Sequence, residues 1–359
     1  MKAGIIAANN IRYSPYVHFY TEILDRINLS YEIIVPDRNG LDETDNGAVF
    51  MLPWNHKFPT VINYIKYAKH VKQRLKEKKY DVIIVLTGIN AAFLGLWLSR
   101  KYNKRYIVDI RDYSHENIYP YYLLEKAALD HSLLNIISSR KFMTFLPESR
   151  YLVCHNYDDK TYVKAHFERG QDPIRIGYVG ALLYAEQCIR LMKLVANDAR
   201  FTMEFYGTSD QEPVLKEKAE EIQCSRIRFH GGYKPEEKAG IIQQVDILFN
   251  AYGNGTPLLD CALSNKLYDS MVYKKPILTC AGTYMTEMAG PLAFPIDLTD
   301  GNALNRLYDW YYMIDGKHAD EYGDHMIESI RKENSDTKEK IAEYIMGAMK
   351  TGQKLSTGR

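Results

Sequence analysis

Ile174-Arg175-Ile176-Gly177-Tyr178-Val179-Gly180-Ala181 holds a short apolar run, Ile174 to Val179, that ends at a glycine and leads into the amphipathic stretch Glu186 to Val195. A run of this kind followed by a helical pattern reads as a buried strand and the helix that covers it. The unit recurs on both sides. Upstream, apolar runs stand at Gly4 to Ala8, Tyr31 to Val35, Val82 to Leu86, Tyr106 to Ile110, Leu134 to Ile137 and Tyr151 to Cys154, with helical patterns at Tyr16 to Ile27, Val61 to Lys79 and Ala91 to Tyr102. Downstream, the runs are Phe201 to Tyr206, Ile227 to Phe229, Ile247 to Phe249 and Pro276 to Thr279, with helices expected around Pro213 to Ile222, Glu236 to Val245 and Asn265 to Tyr273. Strands that are apolar on both faces need helices on both faces, so the chain reads as α/β with parallel sheets built from βαβ crossovers.

At 359 residues the chain is too long for one ordinary core. The polar segment Asn156 to Pro173, with Asp158-Asp159-Lys160 and Arg169-Gly170-Gln171-Asp172-Pro173, has the composition of a linker. The expected organisation is therefore two doubly wound, Rossmann-like domains, residues 1–160 and 161–335, followed by a C-terminal helix and tail, 336–359, able to pack back on the first domain. A ligand is expected at the carboxyl ends of the strands, in a cleft between the domains. The last helix is placed at about Tyr322 to Met349, with a frayed polar tail from Thr351 to Arg359.

Hydrophobic residues at 46% and charged residues at 25% are those of a folded domain protein, and a net charge of +1 offers no bulk attraction to nucleic acid. The five cysteines are scattered without C-x-x-C or metal-ligand spacing, which points to a reducing, cytoplasmic setting. No run approaches the roughly 18 apolar residues of a membrane span, and the apolar start at Gly4 to Ala8 reads as a strand and not as a signal peptide.

Three strand ends carry glycine: Gly180, Gly207, and Gly231-Gly232 followed by Tyr233. Glycine there lets a phosphate come close to backbone N–H groups at a helix start, although simple turn chemistry explains each one singly. Further on, Ser264-Asn265-Lys266-Leu267-Tyr268-Asp269 sets a lysine and a carboxylate three residues apart, on one face of a helix. A solvated surface pair is the plain alternative. No G-x-G-x-x-G opens either domain, which argues against a nicotinamide dehydrogenase, and no D-x-D stands at a strand end to hold a metal.

In the first half, Asp109-Ile110-Arg111-Asp112 follows an apolar strand, with His115 and Glu116 close behind; Asn9, Asn10 and Arg12 follow the first strand. These polar groups are expected to face the cleft, the alternative being an Arg-Asp cap on the next helix. Lys66 to Lys79 carries seven Lys/Arg and one Glu, on a helix whose other face includes Tyr67, Val71 and Leu75. Such a helix can rest on anionic lipid or simply be a solvated face.

The ordered pieces I-x-Y-V-G at Ile176 to Gly180, F-Y-G at Phe205 to Gly207, I-x-F-x-G-x-Y at Ile227 to Tyr233, V-D-I-L-F-N at Val245 to Asn250, N-K-L-Y-D at Asn265 to Asp269 and K-K-P-I-L at Lys274 to Leu278 resemble the donor domain of GT-B retaining glycosyltransferases of the bacterial polysaccharide type, glycosyltransferase family 4-like. The first half resembles the acceptor domain more loosely, through Asp109 to Asp112, Ile137-Ser138-Ser139 and Cys154-His155-Asn156. The resemblance implies transfer of a sugar from a UDP- or GDP-type donor, a co-substrate and not a cofactor, to a saccharide or lipid-linked acceptor at the inner face of the membrane, without a metal. It implies Lys266 on the diphosphate and Asp269 on the ribose, with Gly180, Gly207, Gly232, Tyr233, Ser264 and Asn265 around the nucleotide-sugar. Asp112, Arg111 and Lys266 take the catalytic positions, and Asn10, Asp109 and His115 the acceptor side. Two departures stand out: Cys261 occupies the place of the first acidic residue, and Ala181-Leu182-Leu183-Tyr184 has no basic residue after the V-G turn. A nucleotide-sugar epimerase and a noncatalytic binding protein of the same fold are the alternative readings.

Overall fold

The computed structural model describes residues 2–357 apart from 15, 42, 44–47, 158, 160 and 161. Asp158 and Lys160 of the expected linker, and Gly358-Arg359 of the expected tail, lie outside the described residues. The chain divides into two compact units, one of residues 1–156 with 332–359 and one of residues 157–331.

In chain order the first unit holds β1 (Lys2–Ile6), α1 (Tyr16–Arg26), β2 (Ser30–Asp37), β3 (Val49–Pro53), α2 (Thr60–Glu77), β4 (Val82–Leu86), α3 (Gly88–Lys101), β5 (Tyr106–Ile110), α4 (Tyr119–His131), β6 (Leu134–Ile137) and β7 (Tyr151–Val153). The second holds β8 (Ile174–Val179), α5 (Ala185–Ala196), β9 (Phe201–Tyr206), α6 (Glu212–Ile222), β10 (Ile227–Gly231), α7 (Lys238–Gln244), β11 (Ile247–Phe249), α8 (Pro257–Cys261), α9 (Asn265–Tyr273), β12 (Ile277–Thr279), α10 (Tyr284–Ala289), β13 (Ala293–Pro295) and α11 (Ala303–Met313), and α12 (Gly316–Thr357) belongs to the second unit up to Arg331 and to the first from Lys332 on.

The first sheet runs β3-β2-β1-β4-β5-β6-β7 and the second β10-β9-β8-β11-β12-β13, every pairing parallel. Each order reverses once, between β1 and β4 and between β8 and β11. At such a point the crossovers leave on opposite faces and open a crevice at the strands' carboxyl ends. Strand β3, which sequence patterning does not reveal, is an edge strand with half-buried side chains that ends in proline. Helix α12 begins at Gly316 and not near Tyr322, because Asp315 accepts from the Lys317 and His318 N–H groups at 3.0 and 3.3 Å and so caps an earlier start.

In the second unit one face of the sheet buries Ile176, Tyr178, Phe205 and Phe249 against Leu191 and Met192 of α5 and Leu307 of α11. The other buries Leu248 and Ile277 against Ile242 of α7, Leu267 and Met271 of α9, and Ile327 of α12. Gly177 is required between them, since a Cβ there would strike Val245. In the first unit Ile5, Ile84, Ile107 and Ile136 pack with Tyr20 and Ile23 of α1 and with Ile341 and Ile345 of α12. Thr337 donates to the Val153 carbonyl at 2.7 Å, and Asn334 accepts from the His155 N–H at 2.7 Å, fastening the end of the chain to β7.

Candidate functional site

The crevice of the second unit gathers the residues that the sequence set apart. Gly180, just past β8, has φ +127, and Gly207, just past β9, has φ +135, conformations open to glycine. The Gly180 N–H donates to Tyr206 and the Gly207 N–H to Gly231, at 2.9 and 2.7 Å, so the three strand ends form one rim. A Cβ on Gly207 would land on the Gly180 carbonyl oxygen. Gly231 takes a positive φ of +77 at the β10 turn with open space where a Cβ would stand, whereas its neighbour Gly232 is exposed and has an ordinary φ.

Ser264 caps α9: its Oγ accepts from the Lys266 N–H at 3.1 Å. Asn265 is exposed, and Lys266, one residue on, is turned inward with 8% of its surface accessible. Its ε-nitrogen lies 3.4 Å from the place a Cβ on Gly180 would take, 4.7 Å from the Tyr178 ring centre and 5.4 Å from that of Tyr252. Tyr252 follows β11 and stacks on Tyr184 with ring centres 4.4 Å apart. Among the described residues the ammonium has no hydrogen-bond or ion-pair partner. Burial pushes it down to about 8, Lys238 lowering it further and Asp269 opposing. Held by ring faces and aimed at glycine backbone, it is a charge waiting for an anion.

Asp269, one turn along α9, is close enough to act on Lys266 but is itself engaged. Lys238, the first residue of α7, reaches its Oδ1 at 2.8 Å and Oδ2 at 2.7 Å. Burial still raises the Asp269 carboxyl, against the pull of Lys238 and then Lys266. Tyr233 packs against the cluster that holds Leu267 and Tyr268 of α9, and burial, with the Asp269 charge adding, pushes its phenol up to about 12. The carboxyl of Asp260 accepts from the Gly255 N–H at 2.8 Å and so closes its own loop, while Cys261 beside it is buried.

The first unit distributes its expected residues differently. Asp109 and Arg111, expected to face a cleft, are interior: their side chains, 0% and 3% exposed, form an ion pair at 2.7 Å. Tyr20 donates to Asp109 at 2.6 Å and Arg111 to the Cys154 carbonyl at 2.8 Å. The strand is buried on both faces, so a charge on it must be paired within the fold. Asn10 is wholly buried and pins loops, accepting from the Arg38 N–H at 3.0 Å and donating to Asp37 and Glu43 at 3.3 Å. Asp112 and His115 are exposed, and the His115 ring meets the Tyr121 ring edge-on at 5.7 Å.

Sequence reasoning missed Lys238, Tyr252 and Glu125, which forms a carboxyl pair near the β4–α3 turn with Glu116, a residue expected to face the cleft and found buried. Glu125 of α4 is wholly buried, and neither of its oxygens finds a hydrogen-bond partner among the described residues; the same holds for Glu116 Oε1, the Tyr121 hydroxyl and Thr87 Oγ1. Burial, and secondarily the Glu116 charge, pushes Glu125 up to about 8. The carboxyl lies against Gly88, where a side chain would collide with it, and Thr87 holds a left-handed φ of +78 beside it. The signal was present: Glu125 shares a helix face with Ala128 and Leu129, both core residues. Lys238 carries no such signal, since its helix sits far from α9 in sequence.

The fold is that of the GT-B glycosyltransferases. Sucrose-phosphate synthase from Thermosynechococcus elongatus matches with a TM-score of 0.71 at 14% identity, over 99% of this chain and 98% of that one. The Anabaena protein HepE, solved in complex with UDP and glucose, matches at 0.67 and 13% identity over 96% and 100%. WaaG, a glycosyltransferase involved in lipopolysaccharide biosynthesis, matches at 0.62 and 13% identity over 97% and 100%. No family model and no curated protein sequence matches the chain. No helix is long and apolar enough to cross a membrane among the described residues.

Proposed function

We propose that the chain is a glycosyltransferase that moves a sugar from a UDP- or GDP-linked donor to a saccharide or lipid-linked saccharide, in the assembly of a bacterial surface polysaccharide. One observation carries the reading: the buried ammonium of Lys266, without a protein partner among the described residues, faces the Gly180 backbone at the point where the strand order reverses. Breaking the bond between sugar and diphosphate leaves negative charge on the departing phosphate. Lys266, whose ε-nitrogen faces the Gly180 backbone, is placed to stabilise it. In this reading Asp269 takes the ribose hydroxyls, Asp112 and His115 meet the acceptor, and transfer proceeds with retention and without a metal, as the family resemblance implies. Arg111 and Asp109 then act by holding the segment that carries Asp112.

The test is incubation with a panel of UDP- and GDP-sugars, following release of nucleoside diphosphate with and without saccharide acceptors. Failure of wild-type protein to bind or turn over any of them would sink the reading. Epimerisation of a donor without acceptor would move it to the epimerase alternative. The Lys238–Asp269 pair and Cys261 favour a noncatalytic binding role as the second reading, and binding without turnover on any acceptor supports it.

The same reading places the protein in the cytoplasm at the inner membrane face. Tyr67, Val71 and Leu75 of α2 are core residues, so the apolar surface left for lipid is Phe58, Val61, Ile62 and Ile65, 40%, 59%, 40% and 54% exposed, flanked by Lys66 and Lys69. Binding to vesicles of anionic lipid that is lost in Ile65→Glu supports this contact, and equal binding by both proteins overturns it.

A further inference from the structure

We propose that Lys238 is the second cation of the nucleoside diphosphate site, and that it exchanges Asp269 for donor phosphate when the ribose takes Asp269. The inference rests on the donor reading of the Lys266 crevice. It starts from a conflict of position. A carboxylate that holds two ribose hydroxyls, one on each oxygen, offers them the edge between its oxygens, and the Lys238 ammonium, 2.7 and 2.8 Å from the two oxygens of Asp269, already occupies that edge. Ribose and Lys238 therefore compete for one group.

What Lys238 does once displaced follows from its surroundings. It begins α7 on a flexible four-carbon stem, its side chain is 33% exposed, and it remains next to a second buried cation. Lys238 lowers the Lys266 ammonium while Asp269 raises it, so a Lys238 that leaves the carboxylate leaves its repulsion of Lys266 less offset. A diphosphate removes that repulsion by accepting from both. The turn that leaves Gly180, Ala181-Leu182-Leu183-Tyr184, carries no basic residue, so any second positive charge on a diphosphate at Lys266 comes from elsewhere. Among the side chains that act on both Lys266 and Asp269, Lys238 is the one that carries it.

The exchange makes nucleotide recognition conditional. A nucleoside alone must break the Lys238–Asp269 pair and gives Lys238 nothing in return. A free diphosphate meets Lys266 but leaves Lys238 engaged. A nucleoside diphosphate satisfies both lysines and the carboxylate at once, so its two halves bind with positive coupling.

The experiment is calorimetric titration of wild-type, Lys238→Met and Asp269→Asn proteins with UDP, GDP, uridine, guanosine and inorganic diphosphate, with thermal midpoints recorded for each. In Lys238→Met, affinity for the nucleoside diphosphate that the wild type prefers is expected to fall by on the order of tenfold or more, the usual loss for a charge-assisted phosphate contact. Affinity for the matching nucleoside is expected to hold or rise. Asp269→Asn, which frees Lys238 without removing it, is expected to bind inorganic diphosphate more tightly than wild type. Unchanged or tighter nucleoside diphosphate binding by Lys238→Met makes Lys238 a lock only and overturns the proposal; parallel loss of nucleoside and diphosphate makes it structural and does the same. A wild type that binds neither UDP nor GDP fails the donor reading itself, a result distinct from either.

Discussion

The Lys266 ε-nitrogen lies 3.4 Å from the position of a Cβ on Gly180, so the lysine and the glycine share one small space at the end of β8. Each depends on the other's chemistry. The absence of a side chain at Gly180 leaves backbone exposed to a ligand, and the buried ammonium supplies charge directly beneath it.

Substituting the glycines separates access from folding. Gly180→Ala puts a methyl over the lysine and strains a φ of +127, at a cost of about 1–3 kcal/mol. The expected outcome is a folded protein with weakened nucleoside diphosphate binding, read by calorimetry and thermal midpoint. Gly207→Ala drives a Cβ into backbone and is expected to yield no soluble folded protein. Gly231→Asn, at φ +77 with nothing nearby, costs less than about 1 kcal/mol and leaves binding intact.

Lys266→Met trades function for stability. Bringing the ammonium from its ordinary 10.5 to about 8 corresponds to roughly 3 kcal/mol of unfavourable burial at neutral pH. Between those two values the unfolded chain holds the proton more firmly than the folded one, so this penalty is complete below about 8 and fades as pH rises toward 10.5. The variant is expected to melt higher than wild type at pH 7, with the difference narrowing by pH 10, and to lose nucleoside diphosphate binding. An unchanged melting difference across that range would contradict the buried-charge account.

These positions also show what the sequence carried. Predominantly apolar runs bounded β4, β5, β6, β8, β9 and β11 to the residue, because strands buried on both faces are apolar at most positions, and the few polar residues they carry, such as Asp109, Asn135 and Glu204, did not break the pattern. The Ser264 to Asp269 motif gave the start of α9 and its Ser264 cap, since capping and helical period are local. The partner of Asp269 was illegible: Lys238 is 31 residues away, and only the packing of α7 beside α9 joins them. Asp109 and Arg111 misled for the opposite reason. Their pairing is a fact of the interior, and a sequence shows charge without showing burial.

The Asp109–Arg111 pair gives a third expected outcome. Arg111→Ala leaves a wholly buried carboxylate without its cation, a change that costs about 3–5 kcal/mol. Low soluble yield and a lowered melting point are expected before any catalytic effect can be read. The exposed neighbour gives the contrast: Asp112→Asn is expected to leave the unfolding free energy within about 0.5 kcal/mol of wild type while lowering transfer to acceptor. If Asp112→Asn transfers sugar at the wild-type rate, Asp112 has no part in the reaction.

Glu125 sets the pH dependence of the first unit. Its carboxyl is raised from 4.5 to about 8 by burial and then by Glu116, so the folded protein keeps a proton that the unfolded chain releases. Stability from this group is therefore greatest below about 4.5, declines as pH rises, and levels off above about 8 with a loss on the order of a few kcal/mol. Glu125→Gln keeps the shape and removes the ionisation. Urea unfolding of both proteins at pH 5, 7 and 9 is expected to show the variant gaining on wild type at each step. The carboxyl lies against Gly88 at the start of α3, so the gain should appear as slower amide exchange in that first turn as well. A constant difference from pH 5 to 9 would mean that Glu125 is already ionised in the folded protein and finds its compensation in the N-terminal N–H groups of α3.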